Sequence, residues 1–346
     1  MSGVAAGTSL VAEVLADYGA LVRQRLTQYL PPREPRRYLY ELVADYPARG
    51  GRMLRSSLCV AASRVFGARG DEAVGTAAAI EMLHNAFLVH DDIEDESDRR
   101  RGLPSLNALH GVPAALNAGD ALAIISLAPL LDNRTLLGPN VALDILEEAT
   151  LTARESVEGQ AIELGWRRDN VLNLDVVDYL QMILKKTCWY TTIYPCRVGA
   201  IIGTRRRPDA APFIRFGFFL GAAFQIQDDL LNLVGDEERY GKERDGDLWE
   251  GKRTVMMIHL FQRSTPRERA ALAELLRRPR AERTDDDVRW VRERMQACGA
   301  IEYATELAQG LAGAAVHEGR LLFGGFPDSR DRRFLEALPR WVIERT

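Results

Sequence analysis

Apolar residues recur at helical spacing over four long stretches of this chain, and no run of strand-like alternation interrupts them; nothing else constrains the fold as much. The stretches are Glu72 to Asp95, Ala114 to Leu131, Ala142 to Leu164 and Pro212 to Val234. Further helices are predicted near Leu10 to Tyr29, Arg52 to Phe66, Val176 to Thr187, Tyr190 to Gly203, Arg253 to Phe261, Pro266 to Leu275, Asp285 to Cys298 and Ala300 to Leu322. A last short helix follows Pro327. The breaks carry loop chemistry: Pro31-Pro32, the basic turn Thr204 to Asp209, the charged loop Asp236 to Gly251, and Gly324-Gly325. No Asn-Gly or Asp-Gly turn lies between β-branched runs, so no hairpin is predicted. No composition shift or repeat divides the chain. The expectation is an all-α fold, one domain over residues 1–346, with long helices packed around a central cavity.

Composition narrows the function classes. Of 346 residues 47% are apolar, enough for a substantial core. A net charge of −4 lacks the basic excess of a nucleic-acid protein and gives no electrostatic hold on an anionic membrane. No uninterrupted apolar run reaches the length of a membrane span, so none is expected. Met1 to Ala20 contains no Lys or Arg, which argues against a signal or transit peptide. Cys59, Cys188, Cys196 and Cys298 form no Cys-x-x-Cys pair, and they read as reduced thiols of a cytoplasmic protein.

Two acidic clusters carry the chemistry. His90-Asp91-Asp92-Ile93-Glu94-Asp95 puts Asp91, Asp92 and Asp95 on neighbouring points of one helix. Asp228-Asp229-Leu230-Leu231-Asn232 repeats the offsets with an amide in the last place. Both end apolar helices, where the dipole already disfavours negative charge. One such helix end would be a solvated surface; two at matched spacing, each within an apolar helix, point inward. Oxygen-only donors suit Mg²⁺, which prefers one or two carboxylates plus water and phosphate oxygens. The clusters therefore imply a phosphate or diphosphate between them. No Asp-x-Asp-x-Asp-Gly calcium loop is present.

Cationic groups stand at complementary places. Gly50-Gly51-Arg52-Met53-Leu54-Arg55 puts two arginines in a first helical turn, where phosphate is attracted. Arg99-Arg100-Arg101-Gly102 follows the first acidic cluster, Lys186-Thr187 ends another helix, and Gly241-Lys242 and Gly251-Lys252 follow the second. Each alone is an ordinary surface charge. Together, spread over an apolar bundle, they suit two diphosphates and an oily chain.

These elements resemble the trans-isoprenyl diphosphate synthase, or polyprenyl synthetase, family from about Arg36 to about His259. The match rests on Gly50 to Arg55, Asp91 to Asp95 with Arg100-Arg101-Gly102-Leu103-Pro104, Gly119-Asp120, Gly159-Gln160, Lys186-Thr187, Phe224 to Asn232, Gly241-Lys242 and Gly251-Lys252. The resemblance implies an Mg²⁺-dependent prenyl transferase, with three ions per site, that joins isopentenyl diphosphate to an allylic diphosphate. It implies Asp91, Asp95 and Asp228 as main metal ligands, supported by Asp92 and Asp229. Arg100, Lys186 and Lys242 would hold the allylic diphosphate; Arg52, Arg55, His84 and Arg101 would hold isopentenyl diphosphate. Thr187 and Gln225 would lie beside the developing carbocation, and Lys252 in a closing loop. The family is commonly dimeric, so a homodimer is expected.

Departures are Arg52 for the family's Lys, Met53, Ser56, and Asn232, which is expected to weaken metal binding without abolishing it. Ala86 and Phe87, one turn before Asp91, are expected to shape the floor for the growing chain. One is small and one large, which favours the twenty-carbon geranylgeranyl diphosphate, with farnesyl diphosphate or a longer product as alternatives. Phe87 as plain core packing is equally compatible with the spacing. A class I terpene cyclase would replace the second cluster by an Asn/Asp, Ser/Thr, Glu triad, and a non-catalytic synthase subunit would lose aspartates from one cluster; this chain keeps Asp228-Asp229, Arg52, Arg55 and His84 and changes only the last position of the second cluster, so both stand as the less favoured alternatives.

Overall fold

The computed structural model describes residues 2–235 and 245–345. Helix α1 is Ser2–Tyr29, α2 Glu41–Ala48, α3 Leu54–Val65, α4 Val74–Glu94, α5 Leu106–His110, α6 Val112–Ile125, α7 Leu127–Leu136, α8 Pro139–Arg168 and α9 Val176–Ile183. Then come α10 Tyr194–Thr204, α11 Ala211–Val234, α12 Gly246–Glu250, α13 Val255–Arg263, α14 Pro266–Arg277, α15 Asp285–Ala297, α16 Ala300–Phe323 and α17 Arg330–Glu344. The all-α architecture expected from apolar spacing is present. The packing is chiefly α11 on α16, α3 on α10, and α4 on α6. Buried apolar side chains from Val11 to Val342 join in one continuous core. Three helix starts are closed by capping boxes, Asp175 with Asp178, Thr265 with Glu268 and Thr284 with Asp287.

Three local features depart from expectation. The helix predicted over Ala114 to Leu131 is two helices meeting at Ser126. Pro129 has no N–H to give the carbonyl four residues back, which favours the break there. The gap expected between Thr187 and Tyr190 is not a gap: Leu184–Ile193 is a π-helical stretch that joins α9 to α10. An inserted turn of this kind changes the direction in which side chains leave the helix, and such turns often mark functional sites. No hairpin was predicted, yet β1 (Arg99–Arg100) pairs antiparallel with β2 (Leu103–Pro104). Arg101 and Gly102 turn it with φ of 54° and 75°, the signs a two-residue hairpin turn requires. Two-residue strands and an Arg at the left-handed position left no readable signal. Finally, Val112–Leu136, although interrupted by Asp120 and Ser126 and so not an unbroken apolar run, has the length and mean hydropathy of a membrane-crossing segment, with 39% of its most apolar 18-residue window buried.

The π-helical stretch lies against α8 and α11, and glycine permits the first contact. A Cβ on Gly159 would sit 2.1 Å from the Lys186 backbone nitrogen. Gly165, two turns along α8, has nothing within 4 Å of its Cβ position. Gly159→Ala must therefore push the π-helical stretch away, at a cost of about 1–3 kcal/mol, whereas Gly165→Ala gains helix propensity. Thermal melts followed by circular dichroism should show a lower Tm for Gly159→Ala and an unchanged or higher Tm for Gly165→Ala. Equal Tm values for the two variants would contradict this packing.

Candidate active site

Helices α4, α8, α9 and α11, the π-helical stretch and the segment after α12 enclose a cavity of about 730 Å³. Asp91 at the end of α4 and Asp228 near the end of α11 both line it. So do Arg52, Arg55, His84, Phe87, Arg100, Arg101, Lys186, Thr187, Gln225, Asp229 and Lys252. Lys242 lies outside the described residues.

The three aspartates of the first cluster have separate surroundings. Asp91 faces the cavity, 3.4 Å from Arg100 Nη2 and 3.7 Å from Lys186 Nζ. Asp92 is wholly buried and turned away. Its carboxylate accepts from Tyr46 Oη at 2.5 Å and from Arg100 Nε at 2.9 and 3.1 Å. The expected metal-supporting place for Asp92 is thus corrected: it anchors Arg100, because adjacent helix positions point about 100° apart. Asp95, also buried and not part of the cavity wall, has one oxygen paired with Arg167 and the other, at 2.8 Å, with Lys252, so the expected main-ligand place is occupied by two cations in this arrangement. Burial alone would raise the pKa of both Asp91 and Asp95. The charges of Lys186 and Lys252, joined by Arg100 at Asp91 and Arg167 at Asp95, outweigh it and hold both carboxyls below their ordinary range.

In the second cluster Asp228 pairs with Arg345 at 2.6 Å. Asp229 accepts from Tyr179 Oη at 2.7 Å and from Gln225 Nε2 at 2.8 Å, and Gln225 Oε1 accepts from Thr187 Oγ1 at 2.9 Å. Asn232 does not line the cavity. Its Oδ1 accepts the Asp247 backbone N–H at 3.0 Å and its carbonyl accepts that of Asp245 at 3.0 Å. The amide thus ties the start of α12 to α11.

On the opposite side Arg101 Nη1 donates to the Tyr46 carbonyl at 3.0 Å, and Arg55 Nη2 donates to Tyr190 Oη at 3.1 Å. A Cβ on Gly51 would lie 2.9 Å from Arg101 Nη2, so glycine makes room for that guanidinium. Burial lowers the Arg101 pKa; Glu81 opposes this, while Arg100, Arg55 and Arg49 add to it. Several cations crowded in this way suit a polyanion.

Sequence reasoning missed Arg49, Glu81, Glu163, Tyr179, Tyr190, Asp247 and Arg345, all of which line the cavity. Glu163 takes Lys186 as its ion-pair partner, and Glu163 falls one helical turn after Gly159, a spacing that could have flagged it. Arg345 stacks on the Phe224 ring at 4.0 Å and donates to the Phe224 carbonyl at 2.8 Å; its place at the chain end carries no pattern. Ala86 corrects another expectation. It is buried and absent from the cavity wall, being rotated about 140° from Asp91 on the helix, whereas Phe87 lies almost beneath Asp91.

Asp91, held ionised by its cationic neighbours, and Asp228 open onto one cavity from two helices, and hard oxygen donors so placed fit a divalent cation. Among the described residues no three acidic, His or Cys side chains gather closely enough to hold a metal by themselves. One carboxylate from each helix plus ligand oxygens is the arrangement Mg²⁺ favours.

Burial first, then the charge of Asp247, push the Asp229 carboxyl up to about 8, against the lowering effect of its hydrogen bonds from Gln225 and Tyr179. The folded state therefore keeps a proton that an unfolded Asp, with its ordinary 3.8, has lost. That contribution to stability is complete at low pH and is lost as pH rises from about 4 to about 8. Relative to Asp229→Asn, metal-free wild type should lose stability across that window in urea titrations; a pH-independent difference would refute the assignment.

The sequence pattern that defines the polyprenyl synthetase family matches residues 36–295. The chain is 30% identical to a short chain isoprenyl diphosphate synthase of Methanothermobacter thermautotrophicus, over 97% of this chain and 98% of that one. It is 32% identical to a geranylgeranyl diphosphate synthase of Saccharolobus solfataricus, over 86% and 87%. Its fold matches a crystal structure of a polyprenyl synthase from Caulobacter crescentus complexed with calcium and isoprenyl diphosphate. That match has a TM-score of 0.84 and 28% identity, over 98% of each chain.

Proposed function

This chain belongs to the polyprenyl synthetase family, and from that premise we propose that it condenses isopentenyl diphosphate with an allylic diphosphate to give a longer trans-isoprenyl diphosphate, geranylgeranyl diphosphate being the favoured product. One observation carries the reading: Asp91 and Asp228, far apart in sequence, open onto a single cavity whose remaining wall is partly cationic and partly apolar. The apolar part, including Phe87, Leu88 and Met182, suits a hydrocarbon tail; the cationic part suits diphosphates. One continuous core from α1 to α17 supports a single-domain organisation.

Asp91 and Asp228, supported by Asp229, would hold Mg²⁺, with three ions per site as the family resemblance implies; Asp95 would join them once its pairs with Arg167 and Lys252 open. Mg²⁺ bound there supplies Lewis-acid neutralisation of the leaving diphosphate. Arg100, Lys186 and Lys242 bind the allylic diphosphate and stabilise the charge that develops as its C–O bond breaks. Arg52, Arg55, His84 and Arg101 position isopentenyl diphosphate so that its alkene meets the allylic carbon. Thr187 and Gln225, joined to each other by a hydrogen bond, would lie beside the developing cation. Lys252, paired with Asp95 and at 2.6 Å with Glu250, holds the segment after α12 over the site and excludes water. No protein nucleophile is required: the new C–C bond replaces the broken C–O bond, and the proton then lost from the condensed product goes to the departing diphosphate.

Purified protein with Mg²⁺, isopentenyl diphosphate and dimethylallyl, geranyl or farnesyl diphosphate should yield a longer product, identified by chromatography after dephosphorylation. Asp91→Ala and Asp228→Ala should each lower kcat by about three orders of magnitude. Near-normal turnover in either variant would remove the metal assignment.

A homodimer and a cytoplasmic location complete the reading. Val112, Leu116, Ile124, Leu127 and Leu131 are exposed apolar side chains on α6 and α7, which a second copy would bury. All four cysteines are free thiols. Sedimentation velocity should give a dimer that Leu116→Asp with Leu131→Asp dissociates; a monomeric wild type would contradict this.

A further inference from the structure

Tyr190 belongs to none of the motifs that marked the site, yet it touches both halves of the cavity. It follows Lys186 by four residues on the π-helical stretch, close to one turn, and so shares the cavity face with that lysine. Its ring meets Phe87 edge to face, with centroids 5.6 Å apart and planes at 84°. It stacks beside His84 at 5.9 Å. The Arg55 guanidinium lies 4.6 Å from the ring centroid, and Arg55 Nη2 donates to the hydroxyl at 3.1 Å. Edge-to-face and cation–π contacts of this kind hold a ring in one orientation.

Two consequences follow for the reaction proposed above, on which this inference rests. Phe87 projects from α4 beneath Asp91, and Ala86 is turned out of the cavity, so α4 by itself narrows the cavity from one side only. Tyr190 supplies the facing side from the π-helical stretch. A hydrocarbon chain growing away from Asp91 along α4 meets the two rings together. We propose that Tyr190, in contact with Phe87, sets the length of the isoprenoid product, and that its hydroxyl separately orients Arg55 toward the diphosphate of isopentenyl diphosphate. The ring limits the chain; the hydroxyl serves the second substrate.

The two parts separate by substitution at one position. Tyr190→Ala and Phe87→Ala should each shift the main product by at least one five-carbon unit, read by chromatography of the dephosphorylated products, and the double variant should extend it further. Tyr190→Phe keeps the ring and should keep the wild-type product length. Loss of the hydroxyl should raise KM for isopentenyl diphosphate about tenfold relative to KM for the allylic substrate. Tyr190→Leu carries the length test if Tyr190→Ala does not fold. An unchanged product distribution in Tyr190→Ala or Tyr190→Leu overturns the length assignment. An unchanged KM ratio in Tyr190→Phe overturns the link to Arg55. A wild type that forms no elongated product overturns the reaction itself, a result distinct from elongation with unaltered length.

Discussion

Buried aspartates paired with cations from remote segments hold the architecture of this cavity together. Asp95 ends α4, and its partners Arg167 and Lys252 come from the end of α8 and the segment after α12. Asp92, buried beside it, takes Arg100 from the hairpin and Tyr46 from α2. Removing one partner of a buried pair leaves an uncompensated charge, at a cost of about 3–5 kcal/mol. The pairs therefore specify which segments meet. They also leave a surplus of guanidinium and ammonium groups facing the cavity, which is what a diphosphate needs.

Backbone geometry places those groups. The π-helical stretch carries Lys186, Thr187 and Tyr190, and Gly159 lets α8 approach it within the space of a missing Cβ. Helix α12 is tied to α11 through Asn232, and Lys252 follows it directly. In both places a polar or charged side chain reaches the cavity because the backbone beside it has been drawn unusually close to a neighbouring helix. Short local devices, a glycine and an amide, thus govern long-range geometry.

Much of the fold was legible in advance, because the apolar spacing of α4, α8 and α11 is long enough to outweigh any competing strand signal. The hairpin at Arg99 to Pro104 was not, since strands of two residues carry no alternation. The site was legible at Asp91, Asp228, Lys186 and Arg55, where charge is repeated in a patterned way. It was illegible at Glu163, Tyr190 and Arg345, each a single residue whose meaning depends on what faces it. Asp92 and Ala86 mislead for the same reason: adjacent letters in the sequence leave a helix about 100° apart.

The sequence by itself determined the helical class, the two acidic clusters, the cationic groups that complement them and thereby the reaction class, because these depend on periodicity and residue type along the chain. Only the tertiary structure decided which carboxylates face the cavity, that Asn232 braces a helix, and that Tyr190 stands opposite Phe87. Those facts depend on the rotation of each helix about its axis and on contacts between segments distant in sequence, which side-chain packing sets and local pattern does not encode.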